Sequence, residues 1–297
     1  MHANARVIWA QILISFGALG SACTTTPKPS RAPGAPPPEW VEQRVREAHE
    51  RLGASDAARL VAACIEAHGG LDTWLGQGTV RFEFDYRPVD KPERRLHTEN
   101  LVDLWRSLAR QTELGEGADA ELGWNGREAW ITPNRAAFPS SPRFWATTPY
   151  YFFALPFVAA DPGVRFELLA DAELEGEVHH LVKLSYEAGV GDSPKDYYVL
   201  YIHPKTHRMS ALRYVVAYPG FFPEGGHTPE KLLVFREQQT VQGLLVSHRY
   251  DVFAWDDATG TGAKVTDVDV KQVRFGERVE AGVFDPPSGA EISQALD

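Results

Sequence analysis

The fold of this chain is decided by one stretch, Thr79-Val80-Arg81-Phe82-Glu83-Phe84-Asp85-Tyr86. Apolar and aromatic side chains alternate in it with charged ones, so an extended strand would have one apolar face and one polar face. Antiparallel sheets commonly bury one face and leave the other in water. We therefore predict that an antiparallel sheet begins at Thr79.

The same alternation recurs along the rest of the chain. It is found in four more stretches: 164–168, 182–186, 212–218 and 244–252. Turn signals separate the strands: Asn125-Gly126, His203-Pro204-Lys205-Thr206 and Gln242-Gly243. The gaps are too short for parallel crossovers, which need a dozen or more residues. About ten antiparallel strands in series are predicted.

Two helices are predicted ahead of the sheet, over 40–52 and 55–67. In the second, apolar side chains recur at helical spacing and Ser55 or Asp56 is suited to cap the first turn. The glycines after His68 end this helix, because glycine accepts the left-handed conformation of a helix terminus. We interpret His68 as a capping residue at the end of that helix.

The most aromatic part of the chain, 140–157, lacks the alternation of a strand. Four prolines lie in or beside it, at 139, 142, 149 and 156, and proline inside a helix removes a hydrogen bond. Short helical turns are therefore predicted here in place of a long helix. Together with the N-terminal helices, they are expected to cover the concave apolar face of the sheet.

Residues 1–22 have the composition of a secretory signal peptide. Arg6 provides a basic start, 7–19 form an apolar run, and Gly20-Ser21-Ala22 supply the small side chains that a signal peptidase requires. The alternative is a transmembrane helix, which needs about 20 apolar residues. This run is shorter and contains a glutamine, so cleavage and export are predicted.

Cys23 is the expected first residue of the mature chain. The segment Leu19-Gly20-Ser21-Ala22-Cys23 resembles the lipobox of bacterial lipoproteins, in which the cysteine is acylated, although Gly20 stands where a large aliphatic residue is usual. An ordinary signal peptidase would also expose Cys23, without a lipid. Both routes remain open, and lipid attachment at Cys23 is the reading that we prefer.

The proline-rich residues 23–39 predict an extended, semi-rigid tether, and 40–297 are expected to form one domain. Thr24 after the cysteine favours the outer membrane, by analogy with the sorting rule of enterobacterial lipoproteins. The expected location is therefore the cell envelope, in the outer membrane facing the periplasm, with the N-terminal lipid as the membrane contact.

The net charge and the positions of the histidines limit the classes of function that the sequence allows. The chain of 297 residues has a formal net charge of −10 and no basic cluster, which disfavours nucleic acid as a partner. Six histidines in the sheet region leave a metalloenzyme as an alternative: His179, His180, His203, His207, His227 and His248. No paired zinc motif supports it, and adjacent strand residues such as His179 and His180 point to opposite faces. We expect no metal and no cofactor.

Three short segments, in this order, resemble the superfamily of the lipoprotein carrier LolA and its acceptor LolB. They are Ala67-His68-Gly69-Gly70-Leu71-Asp72-Thr73-Trp74, Tyr201-Ile202-His203-Pro204-Lys205-Thr206 and Val283-Phe284-Asp285-Pro286-Pro287-Ser288-Gly289-Ala290-Glu291-Ile292. In the second, His203 takes the place of the family's aspartate. The resemblance implies an α+β fold, with an antiparallel, incomplete β-barrel (a half-barrel) closed by helices over an apolar cavity.

The resemblance also implies a function. The carriers bind acyl chains and bring no catalytic residues, so a hydrophobic ligand, the acyl chain of a lipid or lipoprotein, is expected here. The alternative from another class is an envelope scaffold that binds a protein partner and whose barrel is filled by its own side chains.

Aromatic side chains are the candidates for the ligand surface, because a cover must touch whatever lies beneath it. The predicted ligand-binding residues are Phe144, Trp145, Tyr150, Phe152, Phe153, Phe157, Trp105, Trp130, Tyr214 and Tyr250. Trp124 belongs to the same aromatic set. Most of these rings are expected to fill the core of a β-domain, and the residues of 144–157 are the ones most expected to meet a ligand.

Overall fold

A computed structural model describes residues 36–115, 118–138 and 140–293. The predicted signal peptide, Cys23 and most of the predicted tether lie outside the described residues. No helix within the described ranges has the length and apolar character needed to cross a bilayer.

The helices of the described chain are α1 Pro38–Leu52, α2 Asp56–Ala67, α3 Leu71–Gln77 and α4 Pro142–Ala154. The first two confirm the sequence prediction. Ser55 caps α2, since its hydroxyl accepts a hydrogen bond of 3.1 Å from the Ala58 N–H. α1 begins at Pro38, inside the stretch predicted as tether, because proline is well suited to the first turn of a helix.

Fourteen strands are found in the described residues, against about ten predicted. They are β1 Thr79–Pro88, β2 Leu96–Asp103, β3 Leu108–Glu113, β4 Glu121–Trp124, β5 Ala129–Thr132, β6 Val164–Leu168, β7 Ala172–Leu174, β8 Glu177–Tyr186, β9 Tyr198–Ile202, β10 Met209–Tyr214, β11 Lys231–Val241, β12 Leu244–Asp256, β13 Gly260–Phe275 and β14 Glu291–Ser293. The additional strands include several of three or four residues, which are too short for an alternation to be recognised.

The strands form one antiparallel sheet that is not closed. Its order is β14-β5-β4-β3-β2-β1-β13-β12-β11-β10-β9-β8-β6, and β7 pairs with β8. Pairing of β1 with β13 joins the first meander, β1 to β5, to the second, which ends at β13. The predicted fold class, an α+β protein with an open half-barrel, is therefore confirmed.

The predicted turns lie between strands. Gln242 and Gly243 form a two-residue turn between β11 and β12, with φ angles of 49° and 88°, as a type I′ turn requires. The loop between β4 and β5 spans residues 125–128, so it is longer than the two-residue turn that Asn125-Gly126 predicts. Within it, the Asn125 side chain accepts hydrogen bonds from the Arg127 and Glu128 N–H groups. At His203, the ring nitrogen Nδ1 accepts from the Lys205 N–H, the role that an aspartate side chain has in such turns.

One predicted strand is shorter than expected. β10 ends at Tyr214, whereas the alternation extended to Tyr218. Beyond it, the Val216 N–H donates to the Thr228 hydroxyl at 3.0 Å, and the Ala217 N–H donates to the Asp196 carboxylate at 2.5 Å. Side-chain oxygens thus accept the hydrogen bonds that a neighbouring strand would accept if β10 continued.

The middle of the half-barrel is filled by the protein's own rings. Trp74 of α3 is 2% exposed and stacks on Phe157, with ring centroids 4.4 Å apart. Phe153 of α4 stacks in the same way on Phe82 of β1, also at 4.4 Å. Stacked, fully buried rings of this size contribute strongly to a hydrophobic core. This part of the concave face is therefore packed core.

Helix α4 differs from the prediction of short helical turns, because it continues through Pro149. Proline lacks the N–H that would bond to the carbonyl four residues earlier, which is that of Trp145. The side chain of Gln111, on β3, donates a hydrogen bond of 2.5 Å to this carbonyl. Gln111, which is distant from α4 in sequence, thus provides the hydrogen bond that the Trp145 carbonyl lacks because of Pro149.

His68 ends α2 and also ties it to the sheet. Its Nδ1 donates to the Leu245 carbonyl of β12 at 3.1 Å, and its Nε2 accepts from the Met209 N–H of β10, also at 3.1 Å. The residue is 2% exposed. Burial lowers the pKa of His68 to about 4, so the ring is neutral at physiological pH.

Candidate functional site

A partly enclosed cavity of ≈ 530 Å³ lies along one flank of α4. The β2–β3 turn, the end of β8, the start of β9 and the loop 190–196 form the other walls. Ligand pockets in proteins have volumes of about 300 to 1,000 Å³. The cavity is therefore large enough for a small molecule or for part of a lipid chain.

The two faces of α4 have different roles. Phe144, Thr147 and Tyr151 recur at helical spacing and line the cavity. Ala146 and Phe153 lie on the opposite side of the helix and are buried in the core. This arrangement follows from the period of 3.6 residues, which separates the side chains of one helix into two sets. The cover predicted from the sequence thus touches the sheet with one face and the cavity with the other.

The predicted ligand-binding residues fall into two groups. Four of them line the cavity: Trp105, Phe144, Tyr150 and Phe152. Six are not part of its lining: Trp145, Phe153, Phe157, Trp130, Tyr214 and Tyr250. The structure thus brings together the β2–β3 turn and part of α4. The role of the four lining residues in binding stays a prediction.

Five residues of the second group are buried in the core, and Trp145 is half-buried against it. Trp130 is 0% exposed. Its indole lies over Gly123, where even an added Cβ would stand 2.1 Å from the ring, and its N–H donates to the Phe284 carbonyl at 2.9 Å. Tyr250 is buried against Phe235, with the two rings 5.1 Å apart. Trp130 and Tyr250 thus hold secondary-structure elements together.

Sequence reasoning missed three tyrosines of the cavity wall, Tyr186, Tyr198 and Tyr218, whereas Tyr151 lies within the favoured range 144–157. For Tyr186 a signal existed, because the alternation of 182–186 places it on the same face as two buried residues. Burial raises the pKa of the Tyr151, Tyr186 and Tyr198 hydroxyls well above the usual range, so they stay protonated. The hydroxyls of Tyr151 and Tyr186 are hydrogen-bonded to each other.

Two arginines of the lining are held by ion pairs. Arg44 pairs with Asp161 at 2.8 Å and also donates to the Trp105 carbonyl at 2.8 Å. Arg143 pairs with Asp192 at 2.6 Å, and its guanidinium carbon lies 3.4 Å from the ring centroid of Trp124. Both cations are thus fixed at the wall by a carboxylate and an aromatic ring.

The histidines serve local structure. His179 bonds to the Glu177 carbonyl and to the Ser210 hydroxyl, each at 2.9 Å, and His180 contacts Asp171 at 3.0 Å. Within residues 36–115, 118–138 and 140–293, no group of three or more His, Cys, Asp or Glu side chains is placed to hold a metal ion.

No family model matches this sequence, and no curated protein matches it. Solved structures do resemble it. A LolA superfamily protein from Nitrosomonas europaea has 11% identity and a TM-score of 0.49, over 78% of this chain and 98% of that one.

Two further solved structures match a similar share of the chain. A DUF1329 family protein from Desulfovibrio piger has 11% identity and a TM-score of 0.48, over 82% of this chain and 97% of that one. A putative outer membrane lipoprotein-sorting protein domain from Vibrio parahaemolyticus has 13% identity and a TM-score of 0.37, with the same two coverages.

Proposed function

We propose that this protein is a cell-envelope lipoprotein that binds the acyl chain of a lipid or of a lipoprotein, without catalysis. The observation that carries the proposal is the ≈ 530 Å³ cavity along α4, whose wall is rich in aromatic side chains. Burying a methylene group contributes about 0.8 kcal/mol, so an apolar cavity binds an alkyl chain without a charged anchor.

A second candidate function is an envelope scaffold that binds a protein partner. It is favoured by the centre of the half-barrel, where Trp74, Phe82, Phe153 and Phe157 leave the core filled. The cavity beside α4 favours the first candidate, because a scaffold has no need of such an opening. The two functions differ in whether the purified protein binds an alkyl chain.

The test is a titration of the full chain with cis-parinaric acid, a fatty acid whose fluorescence rises in apolar surroundings. We expect saturable binding in the micromolar range, because burying about ten methylene groups at about 0.8 kcal/mol each contributes about 8 kcal/mol. Competition by unlabelled fatty acid should reverse the signal. A fluorescence that stays at the level of the free probe, together with no binding of the neutral amphiphile dodecanol, would leave the scaffold as the better function.

Attachment to the membrane through a lipid on Cys23 is part of the proposal, with the outer membrane, facing the periplasm, as the location. We expect Cys23→Ser to move the exported protein from the membrane fraction to the soluble fraction, since the serine cannot carry the thioether-linked lipid. Fractionation and immunoblotting measure this, with Cys64→Ser as the control because Cys64 is fully buried in the domain. A Cys23→Ser protein that stays membrane-bound would contradict the anchor.

A further inference from the structure

The charges that line the cavity identify the polar end of its ligand. Six charged side chains contribute to the wall: Arg44, Arg106, Arg143, Asp161, Asp192 and Asp196. Charges at the wall of an apolar cavity interact strongly, because little water screens them. The headgroup that the cavity favours therefore depends on which charged side chain of the wall lacks a partner of opposite charge.

All three arginines are compensated. Arg44 pairs with Asp161 at 2.8 Å, and Arg143 pairs with Asp192 at 2.6 Å. Arg106 pairs at 2.5 Å with Asp103, a carboxylate outside the lining. These pairs leave no uncompensated positive charge at the wall.

Asp196 is different, since no arginine, lysine or histidine of the described residues forms an ion pair with it. Its carboxylate accepts hydrogen bonds from two neutral donors, the Ala217 N–H at 2.5 Å and the Tyr198 hydroxyl. The residue is 9% exposed. Burial raises the pKa of Asp196 to about 6, which still leaves it mostly ionised at neutral pH. The wall therefore carries one uncompensated negative charge.

Aromatic rings stand beside this charge. The Tyr198 ring lies 5.1 Å from that of Tyr151 and 6.3 Å from that of Tyr186, measured between centroids. All three rings line the cavity. The face of such a ring attracts cations, most strongly where water is excluded. Carboxylate and rings together form a wall suited to a positive group.

We infer that the cavity binds amphiphiles with a cationic headgroup, an ammonium or quaternary ammonium that lies beside Asp196 and against the rings of Tyr151, Tyr186 and Tyr198. This inference rests on the proposed function, to which it adds the class of ligand. The alkyl chain lies along Phe152 and Val164, in the apolar part of the lining.

One group favours the opposite charge. Nη1 of Arg143 is buried and makes no hydrogen bond, so an anionic headgroup would find one donor there. The Asp192 carboxylate already compensates the charge of that guanidinium, which also stacks on the ring of Trp124. A carboxylate probe therefore belongs in the experiment as the direct competitor of the cationic one.

The experiment compares three probes of equal chain length by calorimetry below their micelle concentrations: dodecyltrimethylammonium, dodecanol and dodecanoate. With the full chain at neutral pH, we expect the cation to bind about tenfold or more tightly than the alcohol, and dodecanoate to bind more weakly than the cation. Asp196→Asn should remove the preference for the cation, so that dodecyltrimethylammonium binds this variant no more tightly than dodecanol does. The amide oxygen of Asn still accepts from the Ala217 N–H.

Circular dichroism and a melting temperature equal to that of the wild type would show that Asp196→Asn is folded. Asp119→Asn, an exposed carboxylate outside the lining, is the matched control and should behave as the wild type. Equal affinity for all three probes, or tightest binding of dodecanoate, would overturn the inference and leave the proposed function standing. Binding of none of the probes would overturn the proposed function, and the inference with it.

Discussion

Replacing Thr147 by tryptophan is expected to weaken the binding of an alkyl chain by more than about 100-fold. Thr147 is half-buried on the face of α4 that lines the cavity, and its side chain makes no hydrogen bond that the substitution would remove. If the indole displaces about four methylene groups of the ligand, at about 0.8 kcal/mol each, the loss is about 3 kcal/mol. The helix and the filled centre of the half-barrel are left in place.

Titration of the variant with cis-parinaric acid measures the effect. Gln43→Trp is the matched control, because it adds the same indole to an exposed position of α1 outside the lining. The control should bind as the wild type does. If Thr147→Trp binds with wild-type affinity while its circular dichroism and melting temperature are unchanged, the ligand does not lie beside α4.

The second large effect is expected from acid. The free energy of unfolding should fall by about 3 kcal/mol through His68 alone as the pH decreases from 6.5 to 4. The pKa of His68 is lowered from 6.5 to about 4 by burial, so between these values the unfolded chain binds a proton that the folded chain does not. The contribution is complete above pH 6.5 and is lost toward pH 4.

Urea unfolding at a series of pH values measures this, with His68→Gln as the test variant. Other groups titrate in the same range, so the quantity of interest is the difference between wild type and variant. The stability advantage of the wild type should shrink by about 3 kcal/mol between pH 6.5 and pH 4. His227→Gln, at an exposed histidine, is the control and should show no such change. A constant difference for His68→Gln would mean that His68 is charged in the folded protein.

The fold was predictable from the sequence where its signals are local. Alternation from Thr79 indicated the sheet, helical spacing indicated α1 and α2, and Gln242-Gly243 indicated a two-residue turn that the φ angles of the structure confirm. Helix α4 was not predictable in this way. Its continuation through Pro149 depends on Gln111, a residue distant in sequence, whose side chain bonds to the freed carbonyl.

The candidate site was predictable only in part. Aromatic content singled out 144–157, and Phe144, Tyr150 and Phe152 do line the cavity. The same criterion could not separate them from Phe153 and Phe157, because which side of a helix meets the core depends on where the helix packs. Asp196 gave no signal at all, since a lone aspartate in a loop acquires meaning only when its neighbours are known.

The central claim is that the cavity beside α4 holds an alkyl chain, and native mass spectrometry of the full chain, purified from membranes with a mild detergent and then exchanged out of it, tests this most directly. We predict that the wild type carries an additional mass, released on activation, that corresponds to one amphiphile, and that Thr147→Trp purified in parallel lacks it. A wild-type protein that has only the mass of its own chain and its N-terminal modification, and that stays so after incubation with fatty acid, would contradict the claim.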